Sequence, residues 1–296
     1  MNAPAPATVA LTVGVRGIGF LAPGLADWAA AAAALRGEVA YLPAKTVLPP
    51  PQLLPPAERR RAVPIVKLAL AAGQQACEAS GLAMAELASV FSSSDGDGGN
   101  CHHLCETLAS DDRMISPTRF HNSVHNAAAG YWSIAAGATP TSNAMCGADG
   151  SFAAGLLEAV VQVVAEERPV LLVAYETDFP EPLFAKRPIP DCGGVALVLV
   201  PADDPRAEAR LCLTLGHAAP DTLSVPALDP LRAAIPAMRA LPLLEALAGK
   251  VNRRVTLDYL ADLQLLIDVG TASGPARRSE RGTAAPSVTI SHGDGG

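Results

Sequence analysis

The chemistry-bearing residues of this 296-residue chain fall in a few short stretches, and the first is SNAMCGADGSFAAGLLEA, Ser142 to Ala159. Cys146 stands there just ahead of a run with helical spacing. A thiol on a turn entering a helix meets free N–H groups and the positive end of the helix dipole, which favour the attacking thiolate. Cys146 is thus a candidate nucleophile, or else a small residue filling a turn between Met145 and Gly147. Asp149 bears on both readings: its charge disfavours a nearby thiolate, and its position suits a helix cap.

CHHLC offers Cys101, His102, His103 and Cys105, with His121 and His125 further on; Cys101 and Cys105 share one face of a helix. Zinc accepts such ligands, but no Cys-x-x-Cys knuckle is present, and no metal or other cofactor is expected. SSSDGDGGN follows a strand yet lacks the Gly-Lys-Ser ending of a phosphate loop, so its glycines serve a sharp turn. Asp95 and Asp97 open like a calcium loop whose later ligands do not follow in the right order. Glu176 and Asp178 lie on one side of a strand end, as capping or solvated acids. Downstream of Cys146 the imidazoles are His217 and His292.

Positioning these residues requires strands and helices in alternation. LTVGVRGIGFLAPG reads as a strand and turn, ADWAAAAAALRG as a helix closed by Gly37, and LPPPQLLPP as a connector. AERRRAVPIVKLALAAGQQACEASGL is a helix ended by Gly81, and LASVFSSS a strand. CHHLCETLAS is expected as a short helix, FHNSVHNAAAGYWSIAAG as one continuous helix, and TPTSNAM as a strand. Phe152, Leu156, Val160 and Val164 repeat at helical spacing, and PVLLVAYETDF, GGVALVLVP and ARLCLTLGHA are apolar runs of strand length. From Pro226 a Leu-rich helix is expected over DPLRAAIPAMRALPLLEALAG, then VTLDYLADLQLLIDV, strand or helix. The polar, Gly- and Pro-rich stretch at 271–296 reads as a disordered tail.

Half the residues are hydrophobic and 17% charged, enough apolar mass for a full core. Aromatics make up only 4%, so Ala, Val and Leu must fill that core with backbones close together, as in layered α/β architectures. A net charge of -7 argues against a nucleic-acid or anionic-membrane surface. Charges, Pro or Gly interrupt every apolar run before the roughly 18 residues of a membrane span. Six cysteines without framework spacing, and no leader-like N-terminus, point to reduced thiols in the cytoplasm.

Five pieces in order carry a family likeness. GIGFLAPGLADWAAAAAALRGE resembles the opening of β-ketoacyl synthases, and VPIVKLALAAGQQACEASGL with its following strand and Gly-rich loop resembles their second block. FHNSVHNAAAGYWSIAAG is similar to their Asn-x-x-Ala-Gly helix, VAYETDF to a strand ending in a Thr-acid pair, and CGGVALVLV to their Gly-rich strand. The likeness runs from about Val13 to about His217. SSSDGDG, FHNSVHNAAAGYWS and DGSFAAGLLEA together resemble the chain-length factors of aryl-polyene-type clusters.

The resemblance implies a thiolase-like α/β fold, layered α-β-α-β-α in full synthases, here as the N-terminal half only, with a mixed five-stranded sheet. It implies a synthase-like domain at 1–225, a helical or strand extension at 226–270, and the tail beyond. It also implies a non-catalytic subunit, the chain-length factor, paired as a heterodimer with a complete β-ketoacyl synthase and serving an acyl carrier protein indirectly. The product class would be an aryl polyene, fatty acid or polyketide. In the synthases a Thr-Ala pair precedes the cysteine, whereas Ala144-Met145 precedes Cys146, and counting back from Gly155 puts the reactive position at Gly147. The two catalytic histidines belong to a synthase's second half, and this chain ends roughly where that half would begin; VTISHGDGG around His292 copies their motif only superficially. Candidate interface residues are His121, His125, Tyr131, Trp132, Thr141 and Met145, near a dimer surface formed by the strand from Thr139 to Ala144 and the helix from His121 to Ile134; Tyr131 and Trp132 equally suit a core. The alternative is an acyltransferase or condensing enzyme using Cys146, with His121, His125 or His217 as acid-base partner.

Overall fold

The structure, a computed structural model, describes residues 9–271. The expected tail beyond Thr271, with His292, lies outside the described residues. In chain order the first elements are β1 (Leu11–Leu21), α1 (Trp28–Leu35), α2 (Pro56–Arg61), α3 (Pro64–Ser80) and β2 (Ala88–Ser92). Next come α4 (Gly98–Ala109), α5 (Pro117–His121), α6 (Ala127–Ala136), β3 (Ser142–Met145), α7 (Ser151–Glu166) and β4 (Val170–Glu176). The chain continues through β5 (Gly193–Pro201), β6 (Ala209–Gly216), α8 (Asp229–Ala234), α9 (Leu241–Gly249), β7 (Arg253–Leu260) and β8 (Leu263–Thr271).

The eight strands among the described residues form one sheet, ordered β3-β2-β4-β5-β1-β6-β8-β7. β3, β2 and β4 run parallel, and each later neighbour pairs antiparallel. The sheet is mixed as expected but has eight strands rather than five. β6 pairs with the first half of β1, and VTLDYLADLQLLIDV folds as the β7–β8 hairpin on β6 rather than as a helix.

Helices cover both faces. Leu172 and Leu197 pack on one face with Phe152, Leu156 and Val160 of α7, Leu35 of α1 and Leu243 of α9. Leu171, Val173 and Val198 pack on the other with Val66 and Leu70 of α3 and Trp132 of α6. The alternation of Leu171, Leu172 and Val173 between two cores is the period-two signature of a strand buried on both sides. α3 lies backbone-close on β1: a Cβ at Gly19 would sit 2.0 Å from the Ala72 carbonyl oxygen.

Three expected helices are broken. AERRRAVPIVKLALAAGQQACEASGL divides into α2 and α3 at Ala62 and Val63, because Pro64 fits only the first turn of a helix. FHNSVHNAAAGYWSIAAG divides into α5 and α6, because Asn122 Nδ2 donates to the Arg61 carbonyl and Ser123 Oγ to that of Phe120. Such side chains offer the backbone an alternative to the helical ladder. The Leu-rich stretch becomes α8, a 3₁₀ turn at Pro236–Ala240 and α9, since Pro236 and Pro242 fit only the first turn of a helix. Among the described residues one helical stretch, 148–166, is long and apolar enough to cross a membrane, and 61% of it is buried within this fold. It is the core helix under the sheet.

Candidate functional site

The parallel strands β2, β3 and β4 all end at one side of the sheet, and the candidate residues gather there. β3 is an edge strand paired only with β2, through Ser89↔Ser142 to Ser92↔Met145. Cys146 follows it directly and is exposed. Its Sγ donates to the Ser94 carbonyl oxygen at 2.8 Å. A thiol engaged in this way is a donor, whereas attack on a thioester needs the thiolate.

The turn after Cys146 differs from the simple helix entry expected. The Gly147 N–H donates to Ser151 Oγ (3.0 Å), which itself donates to the Ala148 carbonyl (2.7 Å). A 3₁₀ turn at Ala148–Gly150 separates the cysteine from α7. Ala148 takes the strained left-handed conformation, φ 48°. At Gly147, the alternative reactive position, a Cβ would lie 3.2 Å from Ala154 Cβ, a tight fit. Gly150 is roofed by β7, with the Tyr259 carbonyl 2.1 Å from where a Cβ would stand.

Asp149 does not cap α7, whose start has no side-chain cap. It ion-pairs instead with Arg187 (2.8 Å) and Arg239 (3.1 Å). The chain of charges extends both ways. Arg187 also meets Asp95 (3.0 Å), and Arg239 meets Asp258 (2.7 Å). Five side chains of alternating sign therefore tie the loop after β2, the loop after β4, the cysteine turn, the 3₁₀ turn at Pro236 and β7 together. Partial exposure limits each pair to a small net contribution, so the network fixes geometry more than it adds stability.

Glu176, expected to be capping or solvated, is buried at the end of β4. It accepts from the Ser94 N–H (2.5 Å), Ser94 Oγ (3.0 Å) and Ser93 Oγ (3.4 Å). Burial pushes its carboxyl up to about 7, against the lowering effect of the Ser94 bonds; Asp95 adds to the rise and Arg187 opposes it. Two consecutive residues thus join the buried acid to the other candidate groups. The Ser94 carbonyl takes the Cys146 thiol, and the Ser93 carbonyl lies 3.1 Å from His125 Nε2. The signal for Glu176 in the sequence was an acid ending a wholly apolar strand.

The remaining candidates scatter. His121 is exposed and meets the Tyr131 ring edge-on, centroids 6.1 Å apart. Tyr131 and Trp132 belong to the core beneath the sheet, not to the surface, because the inward face of α6 packs on α3. Thr141 is exposed and Met145 half-buried against the core. His217 follows β6, which runs antiparallel to β1, so it emerges at the opposite end of the sheet from Cys146. Asp97 caps α4, accepting from the Asn100 N–H at 2.8 Å. Among the described residues no group of three or more His, Cys, Asp or Glu is placed to hold a metal ion. Nor does a hydrogen bond join Cys146 to an imidazole or a carboxylate among them.

A mixed sheet between helical layers, with a cysteine turn at the end of an edge strand, defines a thiolase-like protein. The family described as β-ketoacyl synthase, N-terminal domain, matches residues 28–238, and the chain belongs to it. None of the curated proteins is a match. Among solved structures the chain is similar to the ketosynthase ApeO in complex with its chain length factor ApeC from Xenorhabdus doucetiae. That match has 23% identity and a TM-score of 0.67, over 87% of this chain and 99% of that one. It is also similar to the ishigamide ketosynthase/chain length factor, at 16% identity and a TM-score of 0.66, over 88% and 99% of the two chains. A third similarity is to AntDE:AntF, a type II acyl-carrier protein in complex with its ketosynthase, at 12% identity and a TM-score of 0.70, over 89% and 100%. These likenesses establish the fold.

Proposed function

We propose that the protein is a non-catalytic β-ketoacyl-synthase-like subunit, a chain-length factor, that pairs with a complete ketoacyl synthase. The observation that carries the reading is the open edge of β3. A groove of about 610 Å³ runs along Ser142–Met145, walled by Asn126 just ahead of α6, by Gly130 and Ser133 of α6 and by Glu158 of α7. Ile134, one turn from Gly130, and Val161, one turn from Glu158, are half-exposed. An edge strand with unpaired backbone groups and apolar flanks is an aggregation hazard unless another strand covers it. Of the candidate contacts, Met145 lines that groove, and Tyr131 and Trp132 pack in the core beneath α6. The chain-length-factor complexes among the similar structures favour the same arrangement.

The state of Cys146 supports the non-catalytic part. Its Sγ is engaged by the Ser94 carbonyl, and the following amide is taken by Ser151 Oγ, so that N–H is not free to hold an oxyanion. In this reading residues 1–225 form the synthase-like domain and 226–270 an extension that closes the sheet. The pair works in the cytoplasm on carrier-protein-bound chains of an aryl polyene, fatty acid or polyketide.

The test is co-expression with a complete ketoacyl synthase followed by size-exclusion chromatography, with the wild type and an Ile134→Glu/Ala144→Lys variant. A heterodimer of wild type that the variant loses while remaining folded supports the proposal. Two separate peaks for the wild type overturn it, as does acylation of Cys146 by an acyl thioester without the partner, which would favour the acyltransferase.

A further inference from the structure

The motif CHHLC has no part in the site above, yet its two thiols are arranged for chemistry of their own. Cys101 and Cys105 are both exposed, one turn apart on the same face of α4. In an α-helix this spacing puts the Cα atoms about 6 Å apart, inside the range that a disulfide spans. Cys105 is the neighbouring group that acts on the Cys101 thiol. Burial and that neighbour together hold the Cys101 proton above the ordinary thiol range.

Closing the bond requires the Cβ atoms to approach by about 1–2 Å, from the roughly 5–6 Å of a relaxed helix. α4 permits it. Its buried residues are Gly98 and Asn100 alone, both ahead of Cys101, and its start is held by Asp97. The turn from Cys101 to Cys105 can tighten without moving the core. A bond made under such strain is readily reduced, which suits a reversible modification rather than a structural staple.

We propose that Cys101 and Cys105 form a dithiol site oxidised reversibly by low-molecular-weight disulfides. The Cys105 thiolate attacks one sulfur of the small disulfide, breaking its S–S bond, forming a mixed disulfide and releasing one small thiolate. Cys101 then gives up its proton to solvent and attacks the Cys105 sulfur, expelling the second small thiolate. The protein loses two protons and two electrons, and the small disulfide is reduced to two thiols. Cys101 is assigned as the resolving residue because burial and the neighbouring thiol hold its proton above the ordinary thiol range.

The test treats the full chain carrying Cys146→Ser, which removes the third exposed thiol, with oxidised glutathione at pH 8. Peptide mapping by mass spectrometry without reductant reads the product. The expected result is the peptide containing residues 101–105 lighter by two hydrogens and restored by dithiothreitol. With Cys101→Ser added, the expected product is instead a stable glutathione adduct on Cys105. Adducts on both cysteines without an internal bond would overturn the proposal, as would no reaction of either thiol.

Discussion

Replacing Glu176 by Gln isolates the energetic weight of the buried acid. In the folded protein the carboxyl titrates near 7, against an ordinary value of 4.5. The sign follows from proton counting. Between those two values the folded state binds a proton that the unfolded state has released, so stability falls as pH rises. The contribution is fully present below about 4.5 and is lost as pH passes through 7. A shift of this size is worth about 3 kcal/mol in full, of which roughly 2–3 kcal/mol falls between pH 5 and pH 8. Gln keeps the shape, an acceptor for the Ser94 N–H and donors for the two serine hydroxyls, but cannot ionise. Urea unfolding of both proteins at pH 5, 6, 7 and 8 provides the assay, and other titrating groups cancel in the difference. The two should be about equally stable at pH 5, with the variant ahead by roughly 2–3 kcal/mol at pH 8. Parallel curves across the range would refute the reasoning, since they would mean that no proton is taken up at Glu176 on folding.

Two further perturbations check the packing. Gly19→Ala places a methyl group 2.0 Å from the Ala72 carbonyl oxygen and 2.8 Å from the Ala76 nitrogen, both backbone atoms of α3. Because backbone cannot rotate away, the expected cost is about 3 kcal/mol or more in urea unfolding, and a change below about 1 kcal/mol would show that α3 does not lie so close on β1. Cys77 and Cys192 are buried, with thiols pushed up to about 12 mainly by that burial. With a thiol-directed disulfide reagent at pH 8, Cys101, Cys105 and Cys146 should react in the first phase and Cys77 and Cys192 far more slowly; early labelling of Cys77, located by peptide mapping, would contradict the core.

The residues explain where sequence reading succeeded and where it stopped. Strand and helix segments were legible at β4, β5 and α7 because both sheet faces are buried, so apolar runs of strand length alternate with helical spacing. The break between α5 and α6 was not, since it depends on Asn122 reaching Arg61, 61 residues earlier in the chain. The β7–β8 hairpin was ambiguous because VTLDYLADLQLLIDV satisfies both periodicities until β6 offers it an edge. At the site, Cys146 was visible from its turn. The acid behind it was read as solvated because nothing local says that Ser93 and Ser94 close over Glu176.

By itself the sequence determined the family, the alternation of elements and the place of Cys146 at the end of a strand. These rest on local composition and spacing, which are properties of consecutive residues. Tertiary structure alone decided that Asp149 serves Arg187 and Arg239 rather than a helix cap, that the thiol faces a carbonyl, and that Glu176 is dry. Each of these depends on groups brought together from distant parts of the chain. Their energies are set by burial and by the partner that arrives, and neither is written in the neighbouring residues.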